Sequence, residues 1–274
     1  MASTIYVEKT DRRREFTSAV LERFTRDLLV RNPRKVLVKP NISSYEPYPI
    51  TTHPDVLDAV LRFLKRFHVH IYVGDGPAVD AGNSTELLQA HPLRSTCSTH
   101  NLDLLNLHSH GFTRVKTERG YTLNVSALAL DCDYIISLPV LQPHPRCGIS
   151  GALNNQFGLF PLRDRLLMRS RFLKDIHRSI AEVNTMARPN IVIMDAVKTY
   201  INANELRHGA QPTDLGYMLG GDDPVALDCH GLKLMSAIAP ALADKKPEDI
   251  DHLAWAIRVG VGKSDYNVHQ TVLR

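Results

Sequence analysis

Hydrophobic positions along the chain follow two periods in alternation. "TIYVE" near the start alternates as a strand does, and "REFTSAVLERFTRDLLV" then puts Phe16, Val20, Phe24 and Leu28 on one helical face. "RKVLVK" predicts a second strand that stops at Pro40. "TTHPDVLDAVLRFLKRF" predicts a helix with Thr52 as its cap and Val56, Val60, Phe63, Leu64 and Phe67 as its apolar stripe. "HVHIYVG" is the next strand. Strand, helix and strand in so short a span form a βαβ unit, which implies parallel pairing through a right-handed crossover.

The alternation resumes further on. "DCDYIISLPV" is a strand, "PLRDRLLMRSRFLKDIHRSIAEVN" a long basic helix or helix pair, and "PNIVIMDAV" a strand whose continuous apolar run suits a buried parallel position. "DDPVALDCHGLKLMSAI" is a helix capped by Asp222 or Asp223, with Pro224 in its first turn. The polar stretch from "GPAVDAGNSTELLQAHPL" through "RVKTERGYTLNVSAL" carries only short strand-like runs. The expected architecture is an open, mostly parallel, Rossmann-like α/β sheet with helices on both faces and a small inserted lid-like segment. Residues 1–274 then make a single α/β domain, with 77–130 as a candidate inserted subdomain.

Composition narrows the partners. No apolar run approaches the roughly 20 residues that span a bilayer, and "MASTIYVEKTDRRREF" lacks the apolar segment of a secretory signal. A cytoplasmic location without membrane contact is expected. The net charge of +4 is modest and its basic residues are dispersed, so nucleic acid is not an expected partner. A small molecule is, and an oligomer stays open. Cys97, Cys132, Cys147 and Cys229 form no C-x-x-C pair and read as free thiols, so no iron–sulfur cluster is expected; no residue is assigned as a metal ligand, a site of mixed Cys and His ligands stays open, and the cofactor is unknown.

The unusual polar residues fall where strands end. Lys39 and Asn41 follow "KVLV", Asp75 follows "HIYV", His144 follows "YIISLPV" between Pro143 and Pro145, and Asp195 ends "NIVIM". In open parallel sheets ligands bind outside the carboxyl ends of the strands, so Lys39, Asp75, His144 and Asp195 are expected to line one cleft as catalytic residues. "CGISGALNNQFG" adds Ser150 and Gly151, which let backbone N–H groups approach a ligand, and Asn154 and Asn155, whose amides donate and accept. With Asn41 these are the expected substrate-binding residues.

Seven segments in order, "VLVKPN", "TTHPDVLDAVLRFLK", "VGDGP", "DCDYIISLPVLQPH", "SGALNNQFG", "PNIVIMDAV" and "GGDDPVALD", resemble the domain of unknown function 362 family over nearly the whole chain. The resemblance implies an α/β domain, in relatives often joined to a ferredoxin-like iron–sulfur module that these dispersed cysteines do not supply. His144, Asn155 and Gly158 match the family pattern, whereas Val140, Gln142 and Asn154 stand where lysines are usual. Fewer cations favour a polar or singly charged ligand over a polyphosphate. Three functions remain open: an enzyme acting on a small polar or carboxylate-bearing metabolite by acid/base chemistry, an accessory protein for metallocofactor or iron–sulfur handling, and a metal-dependent hydrolase using His144, Asp75 and Asp195.

Overall fold

The computed structural model describes residues 2–169, 175–201 and 209–271. Its strands among those residues are β1 (Ser3–Lys9), β2 (Lys35–Pro40), β3 (His70–Asp75), β4 (Leu104–Asn106), β5 (Phe112–Lys116), β6 (Thr122–Ser126), β7 (Tyr134–Leu138), β8 (Gln142–His144), β9 (Gly148–Ser150), β10 (Ile191–Ile201), β11 (Gln211–Gly221) and β12 (Tyr266–Gln270). Eight of them form the central sheet in the order β12-β1-β11-β10-β7-β2-β3-β4. Only β11 runs against its neighbours there, pairing antiparallel with both β10 and β1. The other two sheets are the hairpins β5-β6 and β8-β9.

The sheet is buried on both faces because its strands are apolar at successive positions. Val36 and Val38 of β2, Tyr134 and Ile136 of β7, and Ile191 and Ile193 of β10 point into one core. Phe16, Val20 and Leu21 from the helix Arg13–Arg23 fill that side, together with Val56, Leu57, Val60 and Leu61 from the helix Pro54–Leu64. The intervening residues Leu37, Ile135, Val192 and Met194 point into the other core, against Ile180 and Val183 of the helix Ile176–Met186 and Leu227 and Leu232 of the helix Pro224–Ser236. The chain is thus a mixed α/β protein with a large, mostly parallel sheet and helices on both faces. No described helix is long and apolar enough to cross a membrane.

Local expectations hold with informative exceptions. The first helix is interrupted at Phe24 and resumes at Thr25–Arg31. The helix Pro54–Leu64 is capped by His53, whose imidazole accepts the Asp55 N–H, and not by Thr52. The Thr52 hydroxyl is committed elsewhere, donating to the Leu138 carbonyl at 2.6 Å and accepting the Asn41 N–H at 2.8 Å. It ties the loop after β2 to the end of β7. The long basic segment is two helices, Leu162–Arg169 and Ile176–Met186, with 170–174 outside the described residues. Within 77–130, β4 joins the edge of the main sheet beside β3, and Leu123 and Val125 of β6 reach the second core.

The helix Pro224–Ser236 begins with Asp223, which accepts the Val225 and Ala226 N–H groups and also holds the Ser3 hydroxyl at 2.5 Å. One turn later Asp228, fully buried, accepts the N–H groups of Ala152 and Leu153 at 2.6 and 3.0 Å. Asp228 therefore seats the short helix Ala152–Asn155, which carries the paired asparagines. A Cβ on Gly151 would lie 2.2 Å from Asp228 Oδ1, so glycine is required there by this contact.

Burial raises the Asp228 carboxyl from its ordinary value of 3.8 to about 7, against the opposing pull of its two N–H donors. Its protonated form is favoured by folding, so the stability it contributes is complete at pH values below 4 and is lost as pH rises through 7. Asn at this position has no such dependence. In urea unfolding, the stability of Asp228→Asn relative to wild type is expected to improve by roughly 2–3 kcal/mol between about pH 5 and pH 8. Equal differences at the two pH values would show that the carboxyl titrates alike in the folded and unfolded chains.

Candidate functional site

Three loops at the carboxyl ends of β2, β3 and β7 meet over a cleft of about 230 Å³. Asn41, Ser43, Asp75, Asp80, Gln142, His144, Arg146, Ser150, Asn154, Asn155 and Arg165 supply its polar walls. Beneath it lies Lys39, with no exposed surface, whose ammonium donates to Asp75 Oδ1 at 2.6 Å. Burial lowers the basicity of this lysine, and the Asp75 carboxylate opposes the shift.

Asp75 is held from three sides. Besides Lys39, the Gly76 N–H donates to Oδ1 at 2.7 Å and the Ile42 N–H to Oδ2 at 2.7 Å. Three donors on one carboxylate are the set that its charged form requires in a buried position. Asn155 completes the floor. Its Oδ1 lies 3.5 Å from Lys39 Nζ, and its amide nitrogen donates to Ser137 Oγ at 2.8 Å and to the Lys39 carbonyl.

The close approach depends on two glycines. A Cβ at Gly158 would stand 2.3 Å from Asp75 Oδ1, and one at Gly76 would stand 2.2 Å from the Gly158 carbonyl. Arg165 closes the side of the cleft, donating through one nitrogen to the carbonyls of Gly76 and Pro77 and lying 5.0 Å from the Phe157 ring centroid. Nothing in the local sequence of its helix separates Arg165 from its basic neighbours.

The β8-β9 hairpin forms the other wall. His144 is half-buried there, and its Nδ1 accepts the N–H groups of Arg146 and Cys147 at 3.2 and 3.0 Å. In the neutral ring the proton therefore resides on Nε2, the tautomer set by what Nδ1 accepts. Asn154 lines the cleft and donates to Ser150 Oγ at 2.9 Å, whereas Asn155 points into the floor. Asn41 lines it too, although its amide nitrogen is committed to the Ile50 carbonyl. Gln142 binds the carbonyls of Pro49 and Ile50.

Asp195 departs from the expected cleft and is not among the residues lining it. Its carboxylate accepts from Arg13 Nε at 2.6 Å, from the Tyr48 hydroxyl at 2.9 Å and from the Val197 N–H at 2.9 Å. Arg13 also donates to Tyr48 at 2.7 Å, so the three side chains close a ring that clamps the first helix and the loop after β2 onto β10. The set of His144, Asp75 and Asp195 does not gather as metal ligands. Among the described residues, the group that does gather is Cys147, His177 and His252, beside a second cavity.

The chain is similar to known proteins in sequence and in fold. The thylakoid-associated protein sll1697 of Synechocystis sp. is 24% identical over 217 residues, covering 76% of this chain and 66% of that protein. The lactate racemase apoprotein from Thermoanaerobacterium thermosaccharolyticum superposes with a TM-score of 0.52 at 14% identity, over 86% of this chain and 57% of its own. A Thermotoga maritima protein gives a TM-score of 0.40 at 16% identity, over 73% of this chain and 52% of its own. The chain thus spans about two thirds of the Synechocystis relative and little more than half of the two structures, and the likeness to the lactate racemase apoprotein is one of fold. The model of the domain of unknown function DUF362 matches residues 36–233, a stretch that includes Lys39, Asp75, His144, Asn155 and Gly158, and the chain belongs to that family.

Proposed function

We propose that this protein is a cytoplasmic enzyme that binds a small polar or carboxylate-bearing metabolite in the cleft and transforms it by acid/base chemistry. The observation that carries the reading is the buried Lys39–Asp75 pair directly beneath an open, polar cleft at the carboxyl edge of the sheet. A buried ion pair contributes little net stability relative to apolar packing, so its presence under a cavity points to use. The fold shared with a lactate racemase agrees with small-carboxylate chemistry without specifying a reaction.

In this reading His144 exchanges a proton with the substrate through Nε2, because Nδ1 is engaged by the hairpin backbone. Asp75, with both oxygens already accepting, fixes Lys39 and the turn at Gly76. Lys39 supplies positive potential to the floor of the cleft. Asn154, Ser150 and Asn41 orient the ligand, and Asn155 holds Lys39 in register. Proton exchange at a carbon beside a carboxylate, followed by nuclear magnetic resonance in deuterated water across a panel of small hydroxy and oxo acids, tests the chemistry. Deuterium incorporation that His144→Ala abolishes supports it, and no incorporation into any member of the panel counts against it.

Two substitutions examine the cleft wall and the ion pair beneath it. Asn154→Lys places a cation in the cleft wall and is expected to tighten inorganic phosphate binding roughly fivefold by calorimetry, since charge-assisted hydrogen bonds are about twice as strong as neutral ones. Unchanged phosphate affinity would remove Asn154 from the ligand's path. Lys39→Met leaves Asp75 buried without its cation and is expected to destabilise the fold by about 3–5 kcal/mol. A loss below about 1 kcal/mol in urea unfolding would mean that the pair is solvated and not the buried element described.

A further inference from the structure

On the far side of the β8-β9 hairpin from the cleft lies a second cavity, of about 400 Å³. Cys147 and His177 line it, and His252 lies against them with no exposed surface. Each of these three residues offers one ligand atom, and the three atoms lie within 4.8 Å of one another. They come from three separate elements: Cys147 from the turn of the hairpin, His177 from the first turn of the helix Ile176–Met186, and His252 from the first turn of the helix Asp251–Arg258.

The imidazoles lack the partners that buried polar groups ordinarily have. Neither ring nitrogen of His252 makes a hydrogen bond, nor does Nδ1 of His177. Nε2 of His177 lies 3.6 Å from the Asp251 carboxylate, which leaves Nδ1 as the nitrogen without a role. The two rings are nearly parallel, with centroids 6.5 Å apart. Burial, with His177 and His144 adding to it, holds His252 neutral down to about pH 3, which is the form that binds a metal.

We propose that Cys147, His177 and His252 form a binding site for a thiophilic divalent transition-metal ion of the zinc class, with one coordination position open to the adjoining cavity. One thiolate and two imidazoles are a recognised donor set for such ions, and three protein ligands with a vacant position are the pattern of reactive sites, not of closed structural ones. Tetrahedral bonds of about 2.0–2.3 Å hold ligand atoms roughly 3.5 Å apart, so the three side chains turn inward by up to about 1 Å on binding. The Cys147 thiol, which burial pushes up to about 12, gives its proton to solvent as the sulfur–metal bond forms. The Asp251 carboxylate, 3.6 Å from Nε2 of His177, is within reach of accepting that N–H once the ring turns towards the ion, which would select the tautomer presenting Nδ1, as carboxylates do behind metal-bound histidines.

The site shares the hairpin with the proposed acid/base cleft but none of its three ligands lines that cleft, so its metal-binding test reads independently of turnover there. Cobalt titration of the reduced full chain tests it. The wild type is expected to take up one equivalent with a near-ultraviolet thiolate-to-cobalt charge-transfer band and the intense visible bands of a tetrahedral ion, and zinc should displace both. Cys147→Ser should lose the charge-transfer band. Asp251→Ala, an exposed position whose change leaves the core intact, should weaken zinc at least tenfold in competition with a chromophoric chelator. A wild type without the charge-transfer band, or a band that persists in folded Cys147→Ser, overturns the assignment. Zinc affinity unchanged in both Asp251→Ala and His252→Phe does the same.

Discussion

The contact between Lys39 and Asp75 constrains everything around it. An ammonium without exposed surface must find its acceptors inside the protein, and it finds Asp75 at 2.6 Å, with the Pro40 carbonyl and Asn155 Oδ1 at 3.4 and 3.5 Å. Removing two charges from water costs several kcal/mol per ion, so the pair persists only because the remaining lone pairs of Asp75 are met by the Gly76 and Ile42 N–H groups. Those donors fix the two loops from which they come. The absence of a Cβ at Gly158 and Gly76 lets the segment after Asn155 close over the pair. One ion pair therefore sets the positions of three loops, and the cleft is the space they enclose.

The fold was largely legible because alternate residues of β2, β7 and β10 serve two opposite cores, which demands the continuous apolar runs seen in "KVLV", "YIISL" and "IVIM". The antiparallel strand β11 was not. Its sequence, "QPTDLGYMLGG", is polar in its first half and becomes apolar only towards its buried end, so no single period marks it. Thr52 was legible as a cap by type but not by role, because its hydroxyl is drawn to Leu138 across the sheet, a contact between residues far apart in the chain.

The same limit explains the site. The carboxyl-edge rule brought Lys39, Asp75, His144, Asn154 and Asn155 to one region because β2, β3 and β7 end where the sequence says they end. Asp195 was placed by the same rule and lies elsewhere because β10 does not end at "IVIM" but continues to Ile201, through a register shift between Ala196 and Lys198. Asp195 is thus inside a strand and buried, where an unpaired carboxylate is costly, and Arg13 and Tyr48 satisfy it. Cys147, His177 and His252 had no local signature. Their ligand atoms approach only when the hairpin, one helix and another helix far along the chain are packed together.

The β8-β9 hairpin joins these observations, because it is the partition between cleft and cavity. His144, Pro145 and Arg146 contribute to both chambers. The Cys147 N–H that holds His144 Nδ1 belongs to the residue whose sulfur faces the two imidazoles. The ring orientation of His144 and the backbone position of Cys147 are thus joined by one 3.0 Å hydrogen bond. Gly148, at a φ of 74°, gives the turn a backbone conformation that other residues adopt only under strain, and a Cβ there would lie 2.9 Å from Ile250 beside Asp251. Glycine at this position therefore lets the turn lie directly against the start of the helix that carries His252. Gln142, bound to the Pro49 and Ile50 carbonyls, holds the other end of the hairpin, so one short element sets both the wall of the cleft and the position of the Cys147 sulfur.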